Sequence, residues 1–349
     1  MHRVVILCDI DPGDGGEGFQ RAAEIGLAEV RAAAIGDNGA LHDVEVSTVV
    51  AEGHPRGEPA VTVKALRELA TDPAVLAVIG PAVADNAIAC TPVADEVELP
   101  TINWSGSQLT RSRWMFHYQV GSLEDEPFVL ARHLAARRLR RVGLVREDSI
   151  IGRQLASFFA DAAELSGLEL LGCVDLAVSG DDGGAAVAGL GALAPEAVVY
   201  FGLGVSASGL ARALVGETWP VVANSALMFA HAFPELFEDV DGWIYVDACD
   251  ETNALRRALL EQIDCADALG IGPVATYDMG RLVGYGLARA PELTRAGVRE
   301  GLERVKQVPS ALGSPGTIMG FGNWKHNALE GGFLVLRQWR DGKSEMFDA

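Results

Sequence analysis

The sequence predicts an α/β fold of two doubly wound, parallel-sheet units, and three observations predict it. Short β-branched runs alternate with longer helical patterns as far as Ala248, the arrangement of right-handed βαβ units. After Ala248 the pattern changes: helices dominate from Glu251 to Lys306, so a helical segment returns late, before a closing strand. The length, 349 residues, exceeds one ordinary core and suits two domains of common size.

The strands fall in order at VVILCD from Val4, VEVSTVV from Val44, VLAVIG from Val75 and PTIN from Pro100. RVGLVRE from Arg141, LELLGCVDL from Leu168, AVVYFG from Ala197, PVVAN from Pro220 and GWIYVDA from Gly242 continue the series. Each is a short run rich in β-branched residues. Helical spacing of apolar positions marks the segments from Phe19, Ala60, Asn86, Glu126 and Gly152. The late helices are ETNALRRALLEQIDCADAL, PVATYDMGRLVGYGLARA and ELTRAGVREGLERV, followed by the Gly-rich LGSPGTIMGFGNW and the strand GGFLVLRQWRDG.

Composition narrows the function classes. A chain that is 49% hydrophobic and 22% charged is an ordinary globular protein. With 28 basic and 48 acidic residues its net charge is −20, which repels phosphate backbones and anionic membranes, so nucleic acid is not an expected partner. No apolar run approaches the roughly 20 residues that span a bilayer. The opening MHRVVILCDID lacks the long apolar region and cleavage site of a secretory signal and reads as a first strand. The expectation is a cytoplasmic chain, or a periplasmic or extracellular one from which a leader was trimmed. The five cysteines, at wide and irregular spacing without CxxC, indicate neither a zinc site nor a disulfide framework. Burial as small apolar residues is the expectation for them, with Cys249 and Cys265 the pair that an oxidising compartment would join.

Several motifs resolve to plain readings. GDGGEG, Gly13 to Gly18, satisfies GxGxxG after a strand, but Asp9, Asp11, Asp14 and Glu17 crowd that loop and oppose a pyrophosphate. The same acids do not fit a calcium loop. GLGVSASG stops short of a nucleophile elbow, with Ser208 where a glycine belongs. The seven histidines form neither HxH nor HExxH, so no metal, cofactor or catalytic constellation is expected.

Ligands of parallel sheets sit beyond the carboxyl ends of the strands, where helix N-termini offer N–H groups. LPTINWSGS, Leu99 to Ser107, occupies that place, as do GPAVADN after VLAVI and GLGVSASG after AVVYF. Trp104 is either a core filler, one of six tryptophans, or a cleft residue. It follows its strand and precedes Ser105, Gly106 and Ser107, which favours an aromatic wall beside convergent polar groups.

These stretches resemble the type 1 periplasmic-binding fold family, in its leucine/isoleucine/valine-binding branch, over nearly the whole chain. AVIGPAVADNAIACTPVADEVELPTINWSGS is similar to the family's run from a V-I-G-P strand end to the site. RRVGLVREDSIIGRQLASFFADAAELSGLELLG resembles the opening of its second lobe, and PEAVVYFGLGVSASGLARAL with PVVANSAL resembles the next strand, loop, helix and strand. ATYDMGRLVGYGLARA and GFGNW resemble its late helix and closing segment. The resemblance implies two lobes joined by three crossovers, near Tyr118–Ser122, Val246–Cys249 and Gly320–His326. Lobe one would comprise 1–119 and 249–323, lobe two 120–248 and 324–349, with a small molecule taken in the cleft by hinge closure.

Carried over residue by residue, the family's site departs from its own pattern. The serine that receives a ligand carboxylate falls on Ala84, beside Asp85 and Asn86. Ser105 and Ser107 match in character, whereas two tyrosine positions fall on Ile151 and Gly204. The acid that pairs with a ligand ammonium falls on Ser225, after Asn224, leaving Asp85 or Asp247 as substitutes. An ammonium without a carboxylate partner in a closed cleft carries a large desolvation cost. The resemblance therefore implies a solute-binding protein of the branched-chain amino acid ABC transporter type, not an enzyme, whose ligand is a small amide, aromatic or carboxylate compound. Its partner would be the transporter permease. The alternative is a cytoplasmic ligand-sensing regulatory domain of the same fold, acting on a regulatory partner protein.

Overall fold

The computed structural model describes residues 1–10, 13, 16–33, 44–51, 59–231, 239–263 and 270–347. The chain opens with β1 (His2–Cys8), α1 (Glu17–Ala33), β2 (Val44–Val50), α2 (Pro59–Ala70), β3 (Val75–Ile79), α3 (Ala84–Glu96), β4 (Thr101–Asn103) and β5 (Met115–His117). It continues through α4 (Glu126–Ala136), β6 (Arg141–Glu147), α5 (Ile150–Ser166), β7 (Glu169–Leu176), α6 (Gly183–Leu193), β8 (Ala197–Phe201), α7 (Ala207–Ala213), β9 (Val221–Ala223) and β10 (Ile244–Asp247). The late helices α8 (Ala254–Ile263), α9 (Ile271–Arg289) and α10 (Arg295–Glu303) precede β11 (Val308–Pro309), β12 (Ile318–Met319), β13 (Leu329–Glu330), β14 (Val335–Arg340) and β15 (Lys343–Met346).

Two compact units result: Met1–Val120 with Cys249–Phe333, and Gly121–Ala248 with Leu334–Ala349. In unit one the main sheet has the order β2-β1-β3-β4-β5, with every pairing parallel. All five residues of β3 are buried, as expected for a strand covered on both faces. Val5, Leu7, Leu66, Val78, Leu99 and Trp114 belong to one buried cluster of this unit. The late segment belongs here because α9 lies on α1 at glycine contacts. A Cβ on Gly26 would sit 2.3 Å from the Tyr277 carbonyl oxygen, and one on Gly280 would sit 2.3 Å from that of Ala23.

Unit two has the order β15-β14-β10-β9-β8-β6-β7. Pairings from β10 to β7 are parallel, and β14 and β15 extend the sheet antiparallel. The chain leaves unit one for the last time after Phe333, not within Gly320–His326. The reason is the small antiparallel sheet β11-β12-β13, which keeps 324–333 with unit one although the sequence assigned it to lobe two.

Cys8, Cys90 and Cys249 are buried, but Cys173 is exposed, against the expectation of burial. It lies on β7, the edge strand, whose residues are mostly exposed or half-buried. Cys265 lies outside the described residues, as do Asp11, Asp14 and Gly15 of the GDGGEG loop region. Among the described residues no helix is long and apolar enough to cross a membrane.

Candidate functional site

In unit one the loops after β1, β3 and β4 are tied together by side chains. Gly80 leaves β3 at φ +108, where a Cβ would lie 2.2 Å from the Leu7 carbonyl oxygen, so only glycine fits. Asp9, just past β1, accepts from the N–H groups of Ala82 (2.7 Å) and Val83 (3.1 Å) and from Nδ2 of Asn86 (2.9 Å). Val83, the N-cap of α3, has no side-chain cap of its own, so the neighbouring strand supplies the negative charge at the helix's positive end. Burial pushes the Asp9 carboxyl up to about 6, against the pull of these hydrogen bonds, and burial with the Asp9 charge pushes the Cys90 thiol up to about 12. Ala84 opens α3 and is buried, and Asp85 stands in its first turn.

Trp104 sits beside this loop, its N–H donating to the Pro81 carbonyl at 3.1 Å. Its buried ring meets Phe19 of α1 edge-on, centroids 5.7 Å apart. The residues around it are organised by Asn103, which donates to the carbonyls of Thr110 (2.9 Å) and Phe116 (2.8 Å). Its Oδ1 accepts from the N–H (3.2 Å) and hydroxyl (2.9 Å) of Ser105. Ser107 caps the 3-10 turn Gln108–Thr110, its Oγ accepting from Leu109 N–H at 3.3 Å. His117, fully buried, accepts at Nδ1 from Arg111 Nε at 3.0 Å and donates from Nε2 to the Ser105 carbonyl. Those partners assign a neutral ring, and burial, then the Arg111 charge, push its pKa down to about 3.

In unit two the corresponding loops turn on two buried glutamates. Glu147, at the end of β6, accepts from Tyr200 Oη (2.5 Å), Leu203 N–H (2.6 Å), Ser206 Oγ (2.7 Å) and Ser206 N–H (3.0 Å). It thereby shapes the loop after β8, where Gly204 has φ +90. Burial, then the charge of Glu147, holds the Tyr200 hydroxyl well above its ordinary range. Ile151 is buried in the first turn of α5, behind Ser149, whose Oγ accepts from Gly152 N–H at 3.0 Å.

Asn224 forms a two-way clasp on Gly202, accepting its N–H at 3.1 Å and donating to its carbonyl at 3.0 Å. Ser225 donates its N–H (2.7 Å) and hydroxyl (2.8 Å) to Glu126, which also accepts from Ser122 N–H at 2.7 Å. A Cβ on Gly121 would come within 2.4 Å of Glu126 Oε1 and 2.5 Å of Ser225 Oγ, so the chain enters unit two pressed against this pair. Burial pushes the Glu126 carboxyl up to about 7, opposed by the hydrogen bonds from Ser225 and Ser122. Asp247 ends β10, accepting from Ala248 N–H at 2.6 Å with Arg337 Nε 3.9 Å away.

Within unit one, Trp104, Ser105 and Ser107 share one loop and join that of Ala84 and Asp85 through Pro81. Within unit two, Asn224 and Ser225 join the Gly204 loop through Gly202; Asp247 ends β10 of the same sheet and Ile151 lies in the first turn of α5, the helix that follows β6. Sequence reading missed Asp9, His117, Glu126 and Glu147. The one available signal was an acid ending a buried apolar run, as in VVILCDID and RVGLVRE.

A family model described as Periplasmic binding protein matches residues 11–342. A sequence search of curated proteins finds no match. Among solved structures, the chain is similar to an ABC transporter substrate-binding protein from Desulfitobacterium hafniense in complex with Leu (17% identity, 99% of each chain, TM-score 0.80). It is similar to a periplasmic binding protein type 1 from Bordetella pertussis Tohama I (16% identity, 99% of each chain, TM-score 0.81). It also resembles an ABC transporter solute binding protein from R. palustris in complex with 4-hydroxybenzoate (14% identity, 100% of this chain and 96% of that one, TM-score 0.79). At such identities the likeness is one of fold, and function rests on the site.

Proposed function

The chain belongs to the periplasmic binding protein family, and from that premise we propose that it is the solute-binding component of an ABC transporter for a small amide, aromatic or carboxylate compound that carries no ammonium group. Such a component works outside the cytoplasmic membrane and delivers its solute to the transporter permease.

The observation that carries the ligand class is the state of four buried acids, three at or just past strand ends and Glu126 at the start of α4. A carboxylate offers about four acceptor sites. Asp9 and Glu126 each hold three protein donors and Glu147 holds four, while Asp247 lies beside Arg337. Among these four acids Glu147 is full, and Asp9 and Glu126 each keep at most one acceptor site. An ammonium enclosed by more than one such contact would have to displace a donor and leave it buried without a partner, which costs about 1–3 kcal/mol for each. A neutral or anionic solute meets no such demand, and the Trp104 indole suits a flat one.

A thermal-shift screen against leucine, valine, benzamide, benzoate and 4-hydroxybenzoate tests this. A ligand at 100 times its Kd adds about 2.7 kcal/mol, worth roughly 2–4 °C per kcal/mol in a chain of this size. The expected hits are among the amides and aromatic acids. A shift of that size with leucine or valine alone overturns the ligand class.

A further inference from the structure

In unit one the small sheet β11-β12-β13 and the turn after β12 border an open cavity of about 360 Å3, within the usual range for small organic ligands. None of the strand-end residues described above lines it. Ile318, Met319 and Phe321 give it an apolar wall, and Lys306, Lys325 and Glu330 its charge. The Lys306 ammonium is held by main-chain carbonyls, those of Glu303 (2.7 Å) and Phe321, and among the described residues no carboxylate lies within ion-pair distance of it. It lies against the turn: a Cβ on Gly322 would be 3.1 Å from its Nζ. Lys325 pairs with Glu330. Burial, then the charges of Lys306 and Arg111, hold Lys325 below the ordinary lysine range, so cations crowd here on a chain whose net charge is −20. Trp324 stands at the apex of the turn, 101% exposed, between Gly322 and Lys325, whose backbones bond reciprocally at 2.7 and 3.1 Å.

From this juxtaposition we propose that the cavity is an accessory site for a small organic anion, its carboxylate meeting Lys306 and Lys325 and its apolar body lying on Ile318, Met319 and Phe321. The anion supplies the negative partner that Lys306 lacks and relieves the repulsion among the neighbouring cations. The apolar wall favours a carboxylate with a hydrocarbon body over a bare inorganic anion.

The test uses the full chain labelled with 5-fluorotryptophan, benzoate as probe, and the Trp324 19F resonance, identified by its loss in Trp324→Phe. A saturable shift of that resonance is expected, weakened about tenfold or more in Lys306→Met, since a charged hydrogen bond contributes about 1.5–3 kcal/mol. Lys306→Arg should bind like the native chain. Lys325→Gln, in an exposed turn whose loss does not threaten the core, should weaken binding in the same direction. Inorganic phosphate should bind less tightly than benzoate; equal or tighter phosphate binding overturns the assignment of an apolar body. A Trp324 resonance that stays still while other tryptophans respond overturns the site, as does a shift indifferent to both lysines. The readout is local to Trp324, so it stands or fails apart from the solute class proposed above.

Discussion

Replacing Glu126 by Gln should remove a defined part of the protein's pH dependence. The carboxyl is fully buried, and burial raises its pKa from the ordinary 4.5 to about 7 despite donors from Ser122 and Ser225. The native state therefore keeps this proton to a higher pH than the unfolded chain does. Between pH 4.5 and about 7 the native state binds more protons, so stability falls as pH rises through that window and levels off above it. At about 1.4 kcal/mol per pH unit the span amounts to about 3 kcal/mol. Glu126→Gln has no proton to lose. It starts roughly 1–3 kcal/mol less stable in acid, because an amide cannot accept from all three donors. Urea unfolding of both chains from pH 4 to pH 8 isolates the effect, since Asp9 and His117 titrate in both and cancel in the difference. The native-minus-variant stability should shrink by about 3 kcal/mol across the window. A difference constant to within about 0.5 kcal/mol would refute the reasoning and mean that the three donors fully offset the cost of burying the charge.

The glycine contacts between α1 and α9 should be intolerant of a single methyl. Gly280→Ala, which places a Cβ 2.3 Å from the Ala23 carbonyl oxygen, should cost about 1–3 kcal/mol by thermal unfolding. Gly184→Ala on α6, where nothing lies within 4 Å, should stabilise by up to about 1 kcal/mol; loss of stability there would undo the packing argument. Trp104→Ala should cost about 3–5 kcal/mol and abolish the solute-induced shift in the melting midpoint, whereas Trp104→Phe should keep most of the stability. Full retention of that shift in the alanine variant would remove Trp104 from the solute site.

The alternation of β-branched runs with helical patterns was enough to read an α/β chain with parallel sheets and a late helical return, because period and propensity are local properties. Strand ends could be read for the same reason, and with them the loops holding Ala84, Trp104, Ser105, Gly204, Ser225 and Asp247. Short elements escaped. β5, β11, β12 and β13 have two or three residues each, too few to show a period, and their pairing holds 324–333 in unit one. What those loops do with their polar groups depended on partners far apart in the chain. Ser225 reads as a neutral residue, yet it is bound to a carboxylate 99 positions away; Glu147 reaches Ser206 across 59 positions and Asp9 reaches Asn86 across 77. A buried charge must find donors wherever the fold brings them, so its position in sequence names the acid and its neighbours in space determine the role. The sequence by itself determined the class of fold and where its strands end. Only the tertiary structure decided which carboxylates are already satisfied and which cations, at Lys306 and Lys325, are crowded together, because hydrogen bonding and burial are properties of packed groups.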